Sequence, residues 1–315
     1  MAERLHNALV RKTSSPPMNT VTERWMASES EGRFDLRRWI WPAFLLALPV
    51  GFLYSGVLAL LVRDWWNDPD FSHGFFVPLF AGFVIWQRRQ RLAQLPVQPS
   101  WLGLVVIAGS LCTLIVGVLG AELFLQRSSL VLLLMGLVIH FFGWSWFRAL
   151  LFPLACLFLM IPIPSIIYNR IAFPLQLLAS QVAATLLAAS RVPVLLEGNV
   201  IQLPHMMLEV VEACSGLRSL VSLITLAIIY GHLLEPNLFR RAVLVFSAVP
   251  VAVLANSLRV AGTGLLGHYW EPEKAQGFFH TFSGLVVFLI SLFLLFALHG
   301  ALRMFEGRWK RRSTR

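Results

Sequence analysis

The chain has 315 residues, of which 57% are hydrophobic and only 13% are charged, and its mean hydropathy is +0.71. A soluble globular domain carries about 25% charged residues, so the composition excludes that class and predicts an all-α polytopic membrane protein. The formal net charge of +10 is then assigned to basic loops that fix membrane topology rather than to a nucleic-acid surface.

The two ends of the chain are polar. Residues 1–39 are rich in Ser, Arg and Glu and have no apolar periodicity, which predicts a disordered cytoplasmic leader and no cleavable signal peptide. Residues 40–302 are expected to form one transmembrane domain. Residues 303–315, which include RWKRRSTR, are expected to form a basic cytoplasmic tail.

Eight segments are predicted to cross the membrane, since a helix needs about 20 apolar residues to do so. Phe75–Trp86 is shorter than this and spans only if its ends reach the interfaces. In chain order the segments are Ile40–Val62, Phe75–Trp86, Leu102–Gly120, Leu123–Phe142, Phe147–Ile161, Cys214–Leu234, Ala242–Leu266 and Phe282–Leu302.

The segment Ile171–Ser190 allows two interpretations. Gln176, Ser180 and Thr185 recur near helical spacing, which is typical of a helix at the membrane interface or packed on the bundle, and a ninth span is the alternative. With eight spans, most of the 26 Lys and Arg residues lie on the cytoplasmic side together with both termini. A ninth span would put the termini on opposite sides, so eight spans are preferred.

A short β-hairpin is expected on the outer face, before the sixth predicted span. Val192, Val194 and Leu196 alternate with other residues, and a Glu-Gly-Asn turn at 197–199 follows them. Such a hairpin can pair with an extended peptide. The alternative is a plain connecting loop.

Three ionisable residues that are distant in sequence are predicted to meet at the outer membrane surface. Cys214 begins one span, Arg259 lies near the outer end of the next with Asn256 one turn before it, and His280 begins the last. Ionisable groups within membrane helices are costly to bury and indicate a functional site.

These residue types suit acyl transfer. A helix N-terminus and Arg218, four residues on, favour the thiolate of Cys214, which is the attacking form. His280 can exchange protons, and Arg259 can hold an oxyanion or a substrate carboxylate. Glu212 opposes ionisation of the thiol and is expected to orient an arginine or a substrate group.

Other candidates have simpler explanations. His73, at the start of the second span, lines the site or anchors the interface beside Trp65 and Trp66. A metal site from His73, His268, Glu271 and His280 lacks any local ligand spacing, so no metal or other cofactor is expected. Cys112 and Cys156 lie in apolar runs and are expected to be small buried hydrophobes.

Five ordered stretches of the chain resemble the exosortase family, over roughly Ile40 to Arg303. They are FSHGFFVPLFAGFVIWQRR, IPIPSIIYNRIAFPLQ, EACSGLRS, NSLRV and FFHTFSG. The family's catalytic Cys, Arg and His correspond to Cys214, Arg259 and His280.

The resemblance implies a cysteine transpeptidase of the bacterial inner membrane, with its active site facing the periplasm and both termini in the cytoplasm. Its implied substrates are exported proteins with a C-terminal PEP-CTERM signal, which is a Pro-Glu-Pro-like motif, one transmembrane helix and a basic end. The implied reaction passes through a Cys thioester to a surface acceptor, in organisms that make exopolysaccharide.

Two other functions are considered. A non-enzymatic membrane subunit for exopolysaccharide or lipid export would use the polar cluster as a binding site and would tolerate loss of Cys214. A proton-coupled transporter would need acidic residues at the membrane midplane, and the spans contain almost none.

Overall fold

The computed structural model describes residues 36–204, 206–210, 218–269 and 278–313, and in this part of the chain it contains eleven α-helices and one small sheet. The helices are α1 (Leu36–Leu53), α2 (Ser55–Asn67), α3 (Phe76–Gln87), α4 (Arg89–Leu92), α5 (Leu102–Leu119), α6 (Leu123–Phe141), α7 (Trp144–Cys156), α8 (Ser165–Ala189), α9 (Arg218–Leu234), α10 (Leu238–Tyr269) and α11 (Phe278–Ser313). Short 3₁₀ helices follow α2 at Pro69–Phe75 and α7 at Leu157–Met160. This is the all-α membrane architecture that the composition predicts.

Within the described residues, five helices are long and apolar enough to cross a membrane: α5, α6, α8, α10 and the Gly284–Met304 part of α11. Leu45–Leu53 and α2 pass the same test as a pair, but a 69° bend separates them. Three shorter apolar helices, Phe71–Gln87, Trp144–Met160 and Leu220–Leu234, cover the remaining predicted spans. The predicted span Ile40–Val62 is therefore divided, because the helix bends between Leu53 and Ser55, and the bent pair counts as at most one span.

The chain divides into two compact units, one of residues 1–61 and 77–158 and the other of residues 62–76 and 159–315. The first unit is built on the α5–α6 hairpin. Glycines at its interface bring the helices close, since a Cβ at Gly103 would lie 2.3 Å from the backbone nitrogen of His140 and one at Gly136 would lie 2.9 Å from Ile107. The side chain of Glu122 caps α6 by accepting from the Phe124 amide at 2.8 Å.

The second unit contains α8–α11 and the sheet. Its sheet is antiparallel in the order β1 (Leu195–Glu197), β2 (Val200–Leu203), β3 (Met206–Glu209). Register pairs Glu197 with Val200 and Gln202 with Met207, and Gly198 makes the first turn with a φ of +63°. The hairpin prediction is confirmed and gains a third strand.

The ends of this unit are defined by α10. At one end, called the sheet end, Leu187 and Leu208 lie against Gly264 of α10 and Met206 lies against Gly267. At the other, called the Glu235 end, residues 235–237 join α9 to α10. Helix α10 therefore runs from the Glu235 end to the sheet end, and α9 runs in the opposite direction.

Helix α8 runs alongside α10 in the same direction. Ala172 shares a buried cluster with Leu244 and Ala248 of α10, whereas Leu187, four turns later in α8, reaches Gly264. The segment 171–190, for which two interpretations were open, therefore belongs to a 25-residue helix packed lengthwise on the bundle. By length and composition this helix qualifies as a span.

The polar stripe of α8 is used for helix packing. Gln176 and Ser180 are 6% and 0% exposed, and the Ser180 hydroxyl donates to the Gln176 carbonyl at 2.8 Å. Only Thr185 is exposed, with its hydroxyl bonded to the Gln181 carbonyl. Two of the three stripe residues therefore contact neighbouring elements.

The two cysteines expected to be buried hydrophobes differ. Cys156 is a free thiol with 2% exposure, as expected. Cys112 is also a free thiol, but it is exposed on α5. The expectation was wrong for Cys112 because α5 buries only the face that packs on α6, and Cys112 lies elsewhere on an apolar helix.

The tight α5–α6 contact predicts a stability difference between two glycines of α5. Replacing the buried Gly103 by Ala forces the helices apart and should lower the free energy of unfolding by about 1–3 kcal/mol. Gly109→Ala is the matched control, because a Cβ there meets nothing within 4 Å and alanine favours the helix. Thermal unfolding of the purified variants in detergent measures both effects, and equal midpoints for the two would contradict the interface.

Candidate functional site

Asn256 and Arg259 lie on the face of α10 that packs against α9 and α11. Nearer the Glu235 end, the same face carries Ala248 and Ala252, which share a buried cluster with Leu295 of α11. Asn256 is 1% exposed and Arg259 is 6% exposed. The small residues allow close helix packing, and the polar pair continues that buried seam towards the sheet end.

Position 280 lies at the same depth as Arg259. Arg240 of α10 and His299 of α11 bind the same carboxylate, that of Glu235, at 3.1 and 3.0 Å. The number of residues from Arg240 to Arg259 equals the number from His280 to His299, and each stretch is ~28 Å of helix. Because α10 and α11 are antiparallel, the structure brings helix positions 259 and 280 to one level.

The start of α9 lies at the same end of the unit. Arg218 is the first residue of α9, and Leu220, two residues later, belongs to the buried cluster that contains Ala252. Cys214 and Glu212 lie outside the described residues, as do the side chains of Arg218 and His280. The described geometry of the candidate site therefore consists of Asn256, Arg259 and the positions of the helix ends around them.

The Asn256 side chain has unmet hydrogen-bonding capacity. Neither its Nδ2 nor its Oδ1 has a hydrogen-bond partner within the described parts of the chain, and both atoms are buried. A carboxamide has two N–H donors and one acceptor oxygen, and leaving them unpaired in an apolar medium is costly. The same groups match a peptide bond, which offers one acceptor and one donor.

His73 joins the first 3₁₀ helix to α9. Its Nε2 lies 3.2 Å from the Leu159 carbonyl, which only accepts, so Nε2 carries a proton. Its Nδ1 lies 3.2 Å from the Ser222 hydroxyl, one turn into α9. Trp65 reinforces this contact by donating from Nε1 to the Met160 carbonyl at 2.9 Å. His73 therefore contacts the helix that begins at Arg218, and both interpretations of His73 stay predictions.

Sequence reasoning missed a second polar cluster, at the Glu235 end. The Glu235 carboxylate is fully buried and contacts Arg240, His299 and Arg303, the last at 3.4 Å. Burial raises the pKa of Glu235, but hydrogen bonds from His299 and the Asn237 amide, with the two arginines, hold that pKa below its ordinary value. The signal was present as an acidic residue followed, across a short turn, by two arginines in LLEPNLFRR.

The chain matches a known protein family over most of its length. The family model described as transmembrane exosortase (Exosortase_EpsH) matches residues 65–297. No curated protein and no solved structure was found to match the chain. The match covers well over half of the 315 residues and includes α8–α10, the sheet and the polar seam of α10. The chain therefore belongs to the transmembrane exosortase family.

Proposed function

We propose that this chain is a membrane cysteine transpeptidase that cleaves the C-terminal PEP-CTERM signals of exported proteins and transfers them to a cell-surface acceptor. Family membership supports a sorting transpeptidase. The observation that supports the proposal further is the buried Arg259 beside Asn256, whose carboxamide has no partner among the described residues. Both lie at the level of helix position 280 and towards the end where α9 begins.

In the proposed reaction the Cys214 thiolate attacks the carbonyl carbon of the scissile peptide bond. The oxyanion that forms is stabilised by the fixed positive charge of Arg259. The carbon–nitrogen bond then breaks, the leaving amine takes a proton from His280, and a thioester remains on Cys214. The acceptor nucleophile gives its proton to His280, attacks the thioester and releases the thiolate.

The membrane gives this site its substrate geometry. A substrate with one transmembrane helix can reach the enzyme laterally, with its Pro-Glu-Pro-like motif just outside the bilayer. We place the active site on the periplasmic face, with the sheet end of α8–α11 facing outward. An acidic motif at that depth would meet Arg259 and Arg218, and Glu212 would orient one of these arginines.

The first prediction separates Cys214 from the other thiols. Cys214→Ala should abolish processing of a co-expressed, tagged PEP-CTERM protein, because no other group forms the thioester. Cys112→Ala and Cys156→Ala are matched controls, since both are free thiols outside the site, and they should process substrate normally.

Gel mobility of the tagged substrate measures the result, with membrane insertion of each variant checked in parallel. Normal processing by Cys214→Ala would contradict the proposal. That outcome would favour a non-enzymatic export subunit in which the polar seam only binds.

The second prediction concerns Arg259. Arg259→Gln should lower kcat/KM by about 100- to 1000-fold, the usual cost of losing one oxyanion donor. Arg170→Gln is the control, because Arg170 is exposed on α8, away from the seam. Processing rates of the two variants in proteoliposomes test this prediction, and an Arg259→Gln enzyme within a few-fold of wild type would rule out the oxyanion role.

The third prediction assigns the substrate main chain to Asn256. Asn256→Leu keeps the branching at Cγ and the number of heavy atoms but removes both hydrogen bonds, and should lower kcat/KM by about 10- to 100-fold. This contact is tested with synthetic signal peptides that each carry an ester oxygen in place of one peptide N–H. With wild-type enzyme, the ester at one position of the motif should be cleaved more slowly than the all-amide peptide, and this difference is the ester penalty. With Asn256→Leu the ester penalty should disappear. An ester penalty that is equal in both enzymes would show that Asn256 does not bind the substrate backbone.

A further inference from the structure

The cluster at the Glu235 end is built from three helices and their connecting loop. The Glu235 carboxylate accepts from Arg240 at the start of α10 and from His299 and Arg303 on α11. His299 is 4% exposed, and its Nδ1 lies 2.7 Å from the Tyr230 hydroxyl of α9. These five residues are called the Glu235 clamp.

We propose that the Glu235 clamp is a register pin: it fixes the axial position of α11 against the α9–α10 hairpin and so positions His280 relative to Arg259. Its effect on catalysis rests on the proposed function, in which His280 exchanges protons. The four clamp residues around Glu235 are positioning residues, and none of them touches substrate.

The chain connectivity leaves α11 in need of such a pin. Helices α9 and α10 are joined by residues 235–237 at the Glu235 end. Helix α11 is joined to α10 through residues 270–277, at the opposite end of α10. Near Glu235, the axial position of α11 is therefore set by side-chain contacts and not by a short loop.

Helix periodicity alone does not fix the axial position of α11. Its buried stripe repeats every four residues, as Val287, Ser291, Leu295 and His299. It faces a cluster that includes small residues of the hairpin, among them Ala227 and Ala248. Sliding α11 by one turn would keep this stripe in the interface, so only the fit of individual side chains, such as Leu295, and the clamp oppose the slide.

The clamp distinguishes the two registers because it uses two turns of α11 at once. His299 and Arg303 are one turn apart, so after a slide of one turn, ~5.4 Å, at most one of them could still reach Glu235. The fully buried carboxylate would then lose at least one of its partners, which is costly for a buried ion network. Fixing register is also the best-supported use of buried polar groups.

The register at the clamp is transmitted to the candidate site because α11 is one continuous helix from Phe278 to Ser313. Position 280 and His299 are ~28 Å apart along it, and Arg259 and Arg240 are separated equally along α10. An axial shift at His299 therefore moves position 280 by the same amount relative to Arg259. Displacing a catalytic group by about 1 Å can cost on the order of 100-fold in rate.

The register itself is measured by cross-linking in a cysteine-free background, with Cys112, Cys156 and Cys214 replaced by alanine. One cysteine is placed at Ala248, and a second is placed in turn at Ser291, Leu292 and Leu295. With the intact clamp, oxidative cross-linking should peak at one of these positions. With Glu235→Gln the peak should move or spread to the neighbouring turn, and an unchanged pattern would overturn the register pin.

Turnover is measured separately, in otherwise wild-type enzyme. Glu235→Gln should lower kcat by about 10- to 100-fold while KM changes less than about threefold, because proton transfer and not binding is misaligned. Arg170→Gln, which removes an exposed charge on α8, is the control and should leave kcat unchanged. A shifted cross-linking pattern with unchanged kcat would overturn the positioning of His280.

Two further variants complete the experiment. Glu235→Asp keeps the charge and should recover part of the kcat that Glu235→Gln loses. If the clamp were needed only for folding, Glu235→Gln would lower the yield of folded protein, and kcat per folded molecule would equal that of the wild type. Arg303→Gln removes one contact at a half-exposed position and should give a smaller fall in kcat. It takes the place of Glu235→Gln in the experiment if Glu235→Gln does not insert into the membrane. Because the cross-linking uses a background without Cys214, it decides the register even if the proposed function fails.

Discussion

The second unit depends on one constraint, which is that α10 must bury Asn256 and Arg259 inside a helix long enough to cross a membrane. Neither side chain is stable against lipid, because a carboxamide and a guanidinium lose their hydrogen bonds there. The packing of α9 and α11 against this face of α10 meets the constraint. Alanines of α10 on the Glu235 side of the polar pair let the neighbouring helices approach α10 closely. The same helices then enclose Asn256 and Arg259.

The two polar clusters lie at opposite ends of the same three helices and have opposite chemistry. At the Glu235 end a buried anion is surrounded by cations and hydrogen-bond donors. At the level of Arg259 a buried cation is accompanied by an amide with neither polar atom paired among the described residues. A carboxylate with several paired donors suits a structural role, whereas an amide with neither polar atom paired among the described residues, beside a fixed charge, suits the binding of a polar substrate group.

Composition and periodicity predicted the membrane class, the helical domain and the hairpin, because hydrophobic runs and turn residues are local signals. The eight-span count was less reliable. The break between Leu53 and Ser55 lies inside a continuous apolar run, and the polar stripe of α8 looks the same whether it faces lipid headgroups or another helix. Only the contacts of Gln176 and Ser180 distinguish these cases. Arg259, Asn256 and His280 were grouped by counting depth along the spans, since helix rise is constant, and their role as one site stays a prediction.

The Glu235 clamp was not predicted because its members are far apart in sequence and each has an ordinary local explanation. Arginines at a helix end that was predicted to be cytoplasmic are expected from charge bias, so the local signal in LLEPNLFRR was not interpreted as a cluster. Their convergence on one carboxylate depends on the register of α11, which the sequence does not encode locally. This register is also what the geometry of the candidate site depends on.

The central claim is that Cys214 carries the substrate as a thioester. Its most direct measurement is intact-protein mass spectrometry of the enzyme after mixing with a PEP-CTERM substrate, before and after treatment with hydroxylamine. The account predicts an added mass equal to the N-terminal substrate fragment, located on the Cys214 peptide and released by hydroxylamine, with no such adduct on Cys214→Ala. Substrate cleavage by Cys214→Ala at the wild-type rate, or an adduct on another residue, would contradict it.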